Sequence, residues 1–299
     1  MSFGKGHHLH LIDGSAYIFR AYHGLPPLTR KSDGLPVGAV AGFCNILWNE
    51  ISTGKRAGAA THIAVIFDHS SKTFRNEIYP DYKAHRPEPP EDLRPQFPLT
   101  RDATRAFNVA CIEAPGYEAD DIIATLARRA VEAGGSCTII SSDKDLMQLI
   151  RPGIDMFDPM KTRAIGPDEV IEKFGVAPDR VIDVQSLAGD SVDNVPGAPG
   201  IGLKTAALLI NEYGDLDTLL ARAGEIKQPK RREALVDNAD QIRISRELVT
   251  LKADTPLDVT LDDLTIRLPE ADKIMDFLTK MEFRTLTKRV ADKLGIAAP

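Results

Sequence analysis

Four short apolar runs along the chain are each followed within a few residues by aspartate. The runs cover residues 10–12, 63–67, 109–112 and 137–140. Runs of this length that alternate with segments of helical spacing are typical of buried parallel strands in an α/β fold. The carboxyl ends of parallel strands meet at one edge of the sheet, where open α/β sheets bind ligands. The pattern therefore predicts a sheet with an acidic edge.

The acids of this edge are numerous enough to require cations. Strands lie about 4.8 Å apart, and two carboxylates about 5 Å apart repel by roughly 3 kcal/mol at an effective dielectric of 20. Two further segments add acids to those at the strand ends. One is Glu-Ala-Asp-Asp at the start of a predicted helix, and the other is the later Gly-Asp-Ser-Val-Asp-Asn. The candidate ligands are Asp13, Asp68, Glu118, Asp120, Asp121, Asp143, Asp145, Asp190 and Asp193.

The donor type indicates which metal to expect. All candidates are oxygen donors, and neither Cys nor His stands at ligand spacing, so the set predicts Mg²⁺ or Mn²⁺ rather than zinc. Two such ions about 3.5–4 Å apart serve in-line attack on phosphodiesters. For any single aspartate a simpler interpretation holds, because Asp commonly caps helices. Capping alone does not account for acids at four strand ends together.

Composition narrows the class of protein. The chain has 299 residues, 43% of them hydrophobic, which is ample for a globular core. The three cysteines lack metal or redox spacing, which predicts reduced thiols in a cytoplasmic protein. We find neither a run of about 18 apolar residues nor a signal-peptide pattern, so we expect no membrane segment. The net charge of −6 does not exclude a nucleic-acid partner, because the clustered acids account for the excess.

The periodicity changes near residue 180. Residues 1–180 read as an α/β core, which a proline-rich excursion over about 71–107 interrupts, and long excursions of this kind often carry function. A β-hairpin is predicted at 154–157 and 162–165. Residues 181–299 read as mostly helical. The clearest helical patterns there cover 203–213, 216–222, 229–236, 238–251 and 270–282.

Two segments suit contacts with phosphate. Residues 196–207 form a glycine-rich turn before a helix predicted from about Leu203, where backbone amides and Lys204 can hold a phosphate. A plain tight turn is the alternative, and the segment is not a P-loop, since Leu203 stands where Lys is required. Residues 79–86 interleave tyrosines with Lys and Arg, as in sites that stack bases. A solvated surface is the alternative there.

Taken together, these motifs resemble the 5′-nuclease family, in particular the N-terminal 5′→3′ exonuclease (flap nuclease) domains of bacterial DNA polymerase I. The matching motifs run in order across nearly the whole chain, and every carboxylate of the family pattern is present. They cover residues 11–15, 19–23, 67–68, 74–75, 82–86, 117–121, 142–146, 189–197 and 200–206.

The resemblance implies both a fold and a set of ions. The fold is α/β: a mixed, twisted central sheet with flanking helices (PIN-like), a helical arch at about 71–107 and a C-terminal helix-three-turn-helix subdomain. The implied domains are a nuclease core over 1–180 and a helical DNA-binding subdomain over 181–299. The nine acids become ligands of two or more Mg²⁺ or Mn²⁺ ions, and a K⁺ is implied at the helix-three-turn-helix.

The resemblance also implies roles for individual side chains. Lys83 and Arg86 of the arch become the catalytic basic pair, with Tyr82 as a stacking residue. The implied DNA-binding residues are Arg20, Arg75, Gly197, Gly200, Gly202, Lys204 and Thr205.

The activity this implies is structure-specific 5′→3′ exonuclease and 5′-flap endonuclease cleavage of DNA by a two-metal mechanism, in replication and repair. The expected partners are DNA with 5′ flaps, nicks or duplex 5′ ends, and RNA primers. The expected setting is the cytoplasm, at the nucleoid, either as a monomer or within a longer polymerase chain.

Two other functions remain open at this point. A catalytically weak protein that binds DNA junctions would keep the glycine turn but could lose carboxylates. A metal-dependent ribonuclease with a related acidic sheet would need neither the turn nor the arch.

Overall fold

A computed structural model describes residues 2–53 and 59–298 of the chain. Within these residues a six-stranded sheet forms the centre of the molecule. Its strands are β1 (His8–Asp13), β2 (His62–Ile66), β3 (Ala110–Ile112), β4 (Ser136–Ile140), β5 (Ile154–Asp158) and β6 (Arg163–Ile165). Neighbouring strands run parallel, except that β5 and β6 form the predicted antiparallel hairpin. The prediction of a mixed sheet is confirmed.

The order of strands across the sheet is β3-β2-β1-β4-β5-β6. The chain begins in the middle, adds β2 and β3 on one side of β1, and then crosses to the other side for β4. This reversal leaves a crevice between the carboxyl ends of β1 and β4, which is where open α/β sheets bind ligands. Asp13 is the last residue of β1, and Asp143 follows shortly after β4.

Thirteen α-helices surround the sheet within the same described ranges. They are α1 (Gly14–Gly24), α2 (Gly38–Thr53), α3 (Phe74–Ile78), α4 (Gln96–Ala106), α5 (Ala119–Glu132), α6 (Pro167–Phe174), α7 (Val181–Ala188), α8 (Leu203–Tyr213), α9 (Leu216–Ala221), α10 (Pro229–Asp237), α11 (Ala239–Val249), α12 (Ala271–Lys280) and α13 (Arg284–Leu294). Alternation along β1 separates two cores. Leu9 and Leu11 pack into the core that extends through α5 to α11, and Ile12 packs into the core shared with α1, α2 and α4.

The C-terminal helices divide between these two cores. The predicted helical patterns beyond residue 200 correspond to α8 through α12 within two residues at each end, and α13 was not among the predicted helices. Ile274, Leu278 and Val290 of the last two helices pack in the same core as Phe43 of α2. The end of the predicted 181–299 subdomain therefore lies on the α/β core, and the division near residue 180 stays a prediction.

The proline-rich excursion contains two helices, α3 and α4, joined by turns. α4 buries Thr100 and Ala103, and the side chain of Gln96 accepts hydrogen bonds from the amides of Ala39 and Val40 at the start of α2. A helix held in this way belongs to the core. The apolar face of this helix packs on α2, and the bounds of the helical arch, about 71–107, stay a prediction.

Two expectations from composition concern membranes and thiols. None of the helices in the described parts of the chain combines the length and the apolar character that crossing a membrane requires. Cys44 and Cys137 are buried, Cys111 is partly exposed, and all three are free thiols. Cys44 and Cys137 therefore lie in the core as free thiols.

Candidate active site

The crevice between β1 and β4 holds acids from both strand ends. Asp13 caps α1 by accepting a hydrogen bond from the Ala16 amide at 3.1 Å, and its other oxygen accepts one from the Ser141 hydroxyl at 2.7 Å. The Ser141 oxygen in turn accepts a hydrogen bond from the Asp143 amide at 3.0 Å. Ser141 therefore joins the two strand ends and sets the positions of both acids.

The start of α5 brings further acids to the same edge. Glu118 precedes the helix and Asp120 lies in its first turn, where the helix dipole favours negative charge. Asp68, which follows β2, accepts a hydrogen bond from the Ala119 amide at 2.9 Å. This contact ties the end of β2 to the first turn of α5.

The loops after β4 and after α7 complete the set. A cavity of about 20 Å³ lies among acids from three segments that are distant in sequence, and its acidic lining residues are Glu118, Asp120, Asp145, Asp190 and Asp193. We use the name acid cluster for these five residues together with Asp13, Asp68 and Asp143. The strand ends, helix start and loops thus converge as the sequence pattern predicts for one pocket.

Burial and mutual repulsion raise the pKa values of three carboxyl groups in the acid cluster. Burial, followed by the charges of Asp143 and Asp68, raises the pKa of Asp13 to about 6. Burial and then Asp143 raise the pKa of Asp145 to about 7. For Asp120, burial and the neighbouring acids raise the pKa well above its ordinary value. The cluster therefore favours the uptake of protons or cations.

Lys83 and Arg86 lie at the rim of the acid cluster. Lys83 Nζ is 2.7 Å from Glu118 Oε2, and Arg86 Nη2 donates to Asp193 Oδ1 at 2.6 Å. The Lys83 backbone adopts φ +58°, and its amide donates to the Asp193 carbonyl at 2.8 Å. Burial opposes the charged form of Lys83, but the two carboxylates raise the pKa of its ammonium. The structure therefore brings the predicted basic pair to the predicted acids.

Sequence reasoning missed Lys144, which also contacts the cluster. Its Nζ lies 2.5 Å from Asp190 Oδ2. Burial works against ionisation of Asp190, but the hydrogen bond from Lys144 lowers the pKa of that carboxyl. The alternation of Asp143, Lys144 and Asp145 directly after a buried strand was the available signal.

Two uncharged residues of the site were also missed. Ser141 follows β4 directly, so the rule that located the strand-end acids could have found it. Gln185 lies on α7 and donates from Nε2 to Asp145 Oδ1 at 2.6 Å. Its signal was weaker: a polar residue between Val184 and Leu187 on a buried helix.

Within residues 2–53 and 59–298, no three His, Cys, Asp or Glu side chains form a group that could hold one metal ion as they are placed. Three carboxylates of the acid cluster are paired with basic side chains, since Lys83, Arg86 and Lys144 contact Glu118, Asp193 and Asp190 respectively.

Asp121 has a different position from the one that the sequence predicts. It is fully buried and accepts hydrogen bonds from Arg75 Nη1 and Nη2, each at 2.8 Å, and from the amides of Glu118 and Lys252. These four bonds occupy both oxygens. The assignment of Asp121 as a metal ligand is therefore corrected: it holds Arg75.

The predicted contact between Arg75 and DNA is also wrong. The Arg75 side chain is 1% exposed, and besides Asp121 it donates to the Leu248 carbonyl at 2.7 Å and the Thr250 carbonyl at 3.2 Å. A guanidinium enclosed in this way cannot reach a phosphate on a duplex. Arg75 instead ties α3 to α5 and to the C-terminal end of α11.

Tyr82 is not placed for the stacking role that the resemblance implies. The residue is 6% exposed and packs with Val195 and Leu248. Its hydroxyl lies 3.4 Å from Glu118 Oε2, to which it donates. Because a buried ring offers no face to a nucleobase, Tyr82 serves to anchor the turn that carries Lys83.

The glycines of the turn before α8 have different roles. Gly197 is buried with φ +60°, and a Cβ there would lie 2.4 Å from Gly189 N. Its amide donates to Ser245 Oγ at 2.9 Å, and its carbonyl accepts from Gln241 at 2.7 Å. The prediction that Gly197 contacts DNA is therefore wrong, because its backbone is enclosed and hydrogen-bonded.

The rest of the turn is open. Gly200 and Gly202 are exposed, and a Cβ at either would meet nothing within 4 Å. Lys204 is exposed, and Thr205 is partly exposed in the first turn of α8. The turn thus leaves the first amides of α8 accessible, which suits a phosphate.

Arg20 lies on α1, the helix that Asp13 caps. The residue is partly exposed, and its Nη1 is buried without a hydrogen-bond partner in the described part of the chain. Its predicted contact with DNA stays a prediction.

Two family descriptions match the chain. Residues 8–175 match the 5′-3′ exonuclease, N-terminal resolvase-like domain, and residues 176–272 match the 5′-3′ exonuclease, C-terminal SAM fold. The first match contains β1 through β6, and the second contains α7 through α11. The matched regions therefore contain both the acid cluster and the glycine turn.

Curated relatives include a long and a short protein. DNA polymerase I of Rhizobium leguminosarum is 60% identical over 291 residues, which is 96% of this chain and 29% of the relative. The 5′-3′ exonuclease of Aquifex aeolicus (strain VF5) is 35% identical over 286 residues, which is 96% of each protein. The chain thus spans less than a third of the polymerase and nearly all of the exonuclease.

Solved structures share the fold at low identity. A structure of T5 5′-exonuclease with bound divalent ions (zinc) has a TM-score of 0.69 at 21% identity, with 97% of this chain and 99% of that chain covered. The catalytic core of Rad2 in complex with DNA substrate has a TM-score of 0.60 at 16% identity, with 98% and 93% covered. The family match over more than half of its length shows that the chain belongs to the 5′-3′ exonuclease family.

Proposed function

We propose that the chain is a metal-dependent 5′-nuclease that hydrolyses DNA phosphodiesters at 5′ flaps, nicks and duplex 5′ ends. The observation that carries the proposal is the acid cluster at the switch point of the sheet, with Lys83 and Arg86 at its rim. Family membership supports the 5′ polarity, which geometry alone does not supply.

The acid cluster fits divalent cations. Its donors are carboxylate oxygens, which Mg²⁺ and Mn²⁺ prefer, and burial, followed by repulsion from neighbouring acids, raises the pKa values of Asp13, Asp120 and Asp145. A pair of bound ions would supply Lewis acidity, lower the pKa of a coordinated water and stabilise the attacking and leaving oxygens. The residues we propose as ligands are Asp13, Asp68, Glu118, Asp120, Asp143, Asp145, Asp190 and Asp193.

Lys83 and Arg86 would bind the scissile phosphate. Arg86 is 48% exposed and Lys83 is 19% exposed, so both reach solvent at the rim. Phosphate oxygens there would replace the carboxylates of Glu118 and Asp193 as partners of the two cations. Arg binds such groups bidentately, and charges held in place before the reaction stabilise the transition state most effectively.

The turn before α8 would hold the duplex backbone. Gly200 and Gly202 leave room for close approach, and Lys204 and Thr205 add a charge and a hydroxyl at the helix N-terminus. Such contacts fix register without reading bases. We assign Arg20 to a backbone contact as well. A K⁺ at this helix-three-turn-helix remains a prediction from the resemblance.

The substrate class follows from the same contacts. Recognition of phosphates rather than bases favours a substrate defined by its structure, and the Rad2 catalytic core, which shares the fold, was solved with DNA. We include RNA primers annealed to DNA, because their phosphates present the same groups. Such substrates place the enzyme at the nucleoid, in replication and repair.

Product analysis on a 5′-flapped duplex tests the proposal. In Mg²⁺ or Mn²⁺ we expect release of the flap and of short 5′ products, and we expect excess EDTA to abolish both. A matched duplex with a 3′ flap is the control and should stay intact. Tight binding without cleavage in either metal would indicate a junction-binding protein, and cleavage confined to RNA would indicate a ribonuclease. Either result would overturn the proposal.

A further inference from the structure

Gln185 is a buried amide with one satisfied end. It is 3% exposed, and its Nε2 donates to Asp145 Oδ1 at 2.6 Å. The orientation of the amide follows from chemistry, since a carboxylate oxygen accepts and the amide nitrogen donates. Gln185 therefore holds one oxygen of Asp145 in a fixed direction.

The other end of the amide is unsatisfied. Gln185 Oε1 is buried and accepts no hydrogen bond from the described residues. A buried acceptor in this state has lost its hydrogen bonds to bulk water without gaining others, so a partner for it is expected. The partner must bring a donor, because Oε1 can only accept.

The space for that partner lies beside Gln185. The residue lines the cavity of about 20 Å³ among the carboxylates of the acid cluster. A cavity of this size accommodates one water, which needs two to four polar partners. Acceptors dominate its polar wall, so a water there would direct its hydrogens to the wall and its oxygen to a cation.

We propose that Gln185 is a positioning residue for a hydrated divalent cation at Asp145. Its Nε2 orients the carboxylate, and its Oε1 accepts a hydrogen bond from a water in the cavity that also contacts the cation. This inference rests on the proposed function, since it requires that the acid cluster binds a divalent metal. Outer partners of this kind change metal affinity by about 10–100-fold when they are removed.

Gln148 provides a matched control. Its amide is also hydrogen-bonded at this side of the molecule, but both of its ends serve the backbone: Nε2 donates to the Val249 carbonyl at 2.9 Å, and Oε1 accepts from the Leu251 amide at 3.1 Å. Substitution of Gln148 therefore removes structural hydrogen bonds without touching a carboxylate of the acid cluster.

The experiment is calorimetric titration of the 299-residue chain with Mn²⁺ in the absence of DNA, with thermal unfolding of each variant. Gln185→Met keeps most of the volume and removes both the donor and the acceptor of the amide, and we expect it to bind Mn²⁺ about 10–100-fold more weakly. Gln148→Met should lower the melting temperature and keep the affinity of the wild-type chain. If Gln185→Met does not fold, Gln185→Asn is the second variant. It keeps a buried amide but withdraws it from Asp145, and its affinity for Mn²⁺ should fall about tenfold.

The outcomes separate the two proposals. Wild-type affinity in the folded Gln185 variants would overturn the role of Gln185 and leave the proposed function intact. An equal loss of Mn²⁺ affinity in the Gln185 and Gln148 variants would also overturn the role of Gln185, because a general loosening of the fold would then explain the loss in both variants. A wild-type chain that binds no Mn²⁺ and cleaves no flap would overturn the proposed function, and the inference with it.

Discussion

Two groups of buried charge meet at the first turn of α5, and they are built in opposite ways. In the first, which we call the Arg75 anchor, Arg75 and Asp121 pair through two 2.8 Å hydrogen bonds, and the remaining acceptor positions of Asp121 face backbone amides. In the second, the acid cluster, burial and neighbouring acids raise the pKa of Asp120 well above its ordinary value. Adjacent residues of one motif thus have opposite electrostatic surroundings.

The difference separates stability from function. A buried ion pair whose hydrogen-bonding groups are filled is destabilised strongly when one partner is removed, because the other charge is left unpaired. A cluster of like charges destabilises the fold until protons or cations neutralise it. We therefore interpret the Arg75 anchor as the support on which the acid cluster is assembled. Substitutions in the acid cluster, in the Arg75 anchor and outside both regions should therefore have different effects on activity and on stability.

Asp120→Asn should have the largest effect on activity. It removes a ligand charge from the acid cluster, so single-turnover cleavage of a 5′ flap in Mg²⁺ should fall by about a thousandfold or more, equivalent to about 4 kcal/mol. In EDTA the same variant should melt at a higher temperature, because one repelling charge is gone. Asp240→Asn, at a fully exposed site, is the control. Wild-type cleavage by Asp120→Asn would exclude this residue from the metal site.

Asp121→Asn should reduce stability instead. It leaves the Arg75 guanidinium buried without its counter-charge, so the free energy of unfolding should fall by about 3–5 kcal/mol. Chemical denaturation in EDTA measures the change directly. Wild-type stability combined with lost Mg²⁺ affinity would return Asp121 to the ligand set and contradict its assignment to the Arg75 anchor.

Lys83→Ala tests the rim of the acid cluster. Loss of one preorganised charge typically costs about 2.7–4 kcal/mol of transition-state stabilisation, so the single-turnover rate should fall by about a hundredfold or more. Binding of the flap in Ca²⁺, measured by fluorescence anisotropy, should change far less because contacts elsewhere on the duplex persist. Lys72→Ala, an exposed lysine of the same excursion, is the control. A parallel collapse of binding and rate would make Lys83 a general DNA anchor.

The stabilisation of the chain by Mg²⁺ should depend on pH. Folded pKa values of about 6 for Asp13 and about 7 for Asp145, against an ordinary 3.8, mean that the stability associated with these groups falls as pH rises from about 4 through 7. Cation binding needs the deprotonated form. The rise in melting temperature on adding Mg²⁺ should therefore be about 5 °C at pH 8 and much smaller at pH 5.5.

The measurement compares each pH with and without Mg²⁺, so titration of groups outside the acid cluster cancels. His8 and His62 lie outside the acid cluster, and burial lowers the pKa of each imidazole. Their titration contributes equally with and without Mg²⁺. An equal Mg²⁺ effect at both pH values would place the bound metal away from the perturbed acids.

Lys204→Ala should have the smallest effect. It lies outside both regions, so stability and the Mg²⁺-dependent rise in melting temperature should be unchanged. Loss of one phosphate contact should weaken DNA binding about equally for all sequences and lower the salt slope by about one unit. A loss that depended on base sequence would show that the turn reads bases, against the proposed backbone role.

Local patterns allowed much of the fold to be predicted. Each apolar run and the acid behind it, such as Asp13 after β1 or Asp143 after β4, lies within a few residues of sequence, and the edge rule for parallel strands then brings these acids together. The same holds for the β5–β6 hairpin and for α8 through α12, whose periodicity lies within each segment.

Roles that depend on distant partners could not be predicted. The apolar face of α4 does not identify the element that it packs on, and only the structure showed that this element is α2. The resemblance implies a stacking role for Tyr82, but in the structure Val195 and Leu248 pack against it. The sequence predicts that Gly197 contacts a phosphate, but in the structure Gly189 lies against its backbone. In each case the deciding neighbour is remote in sequence.

The Glu-Ala-Asp-Asp motif shows where the division falls. The sequence by itself determined that a helix starts there and that it carries acids at the edge of a sheet. It could not determine which acid faces the cluster, because neighbouring helical positions differ by about 100° in direction. The tertiary structure decided this by bringing Arg75 of α3 and the backbone that follows α11 to one side. Asp121 therefore holds the fold, and Asp120 is left to the site.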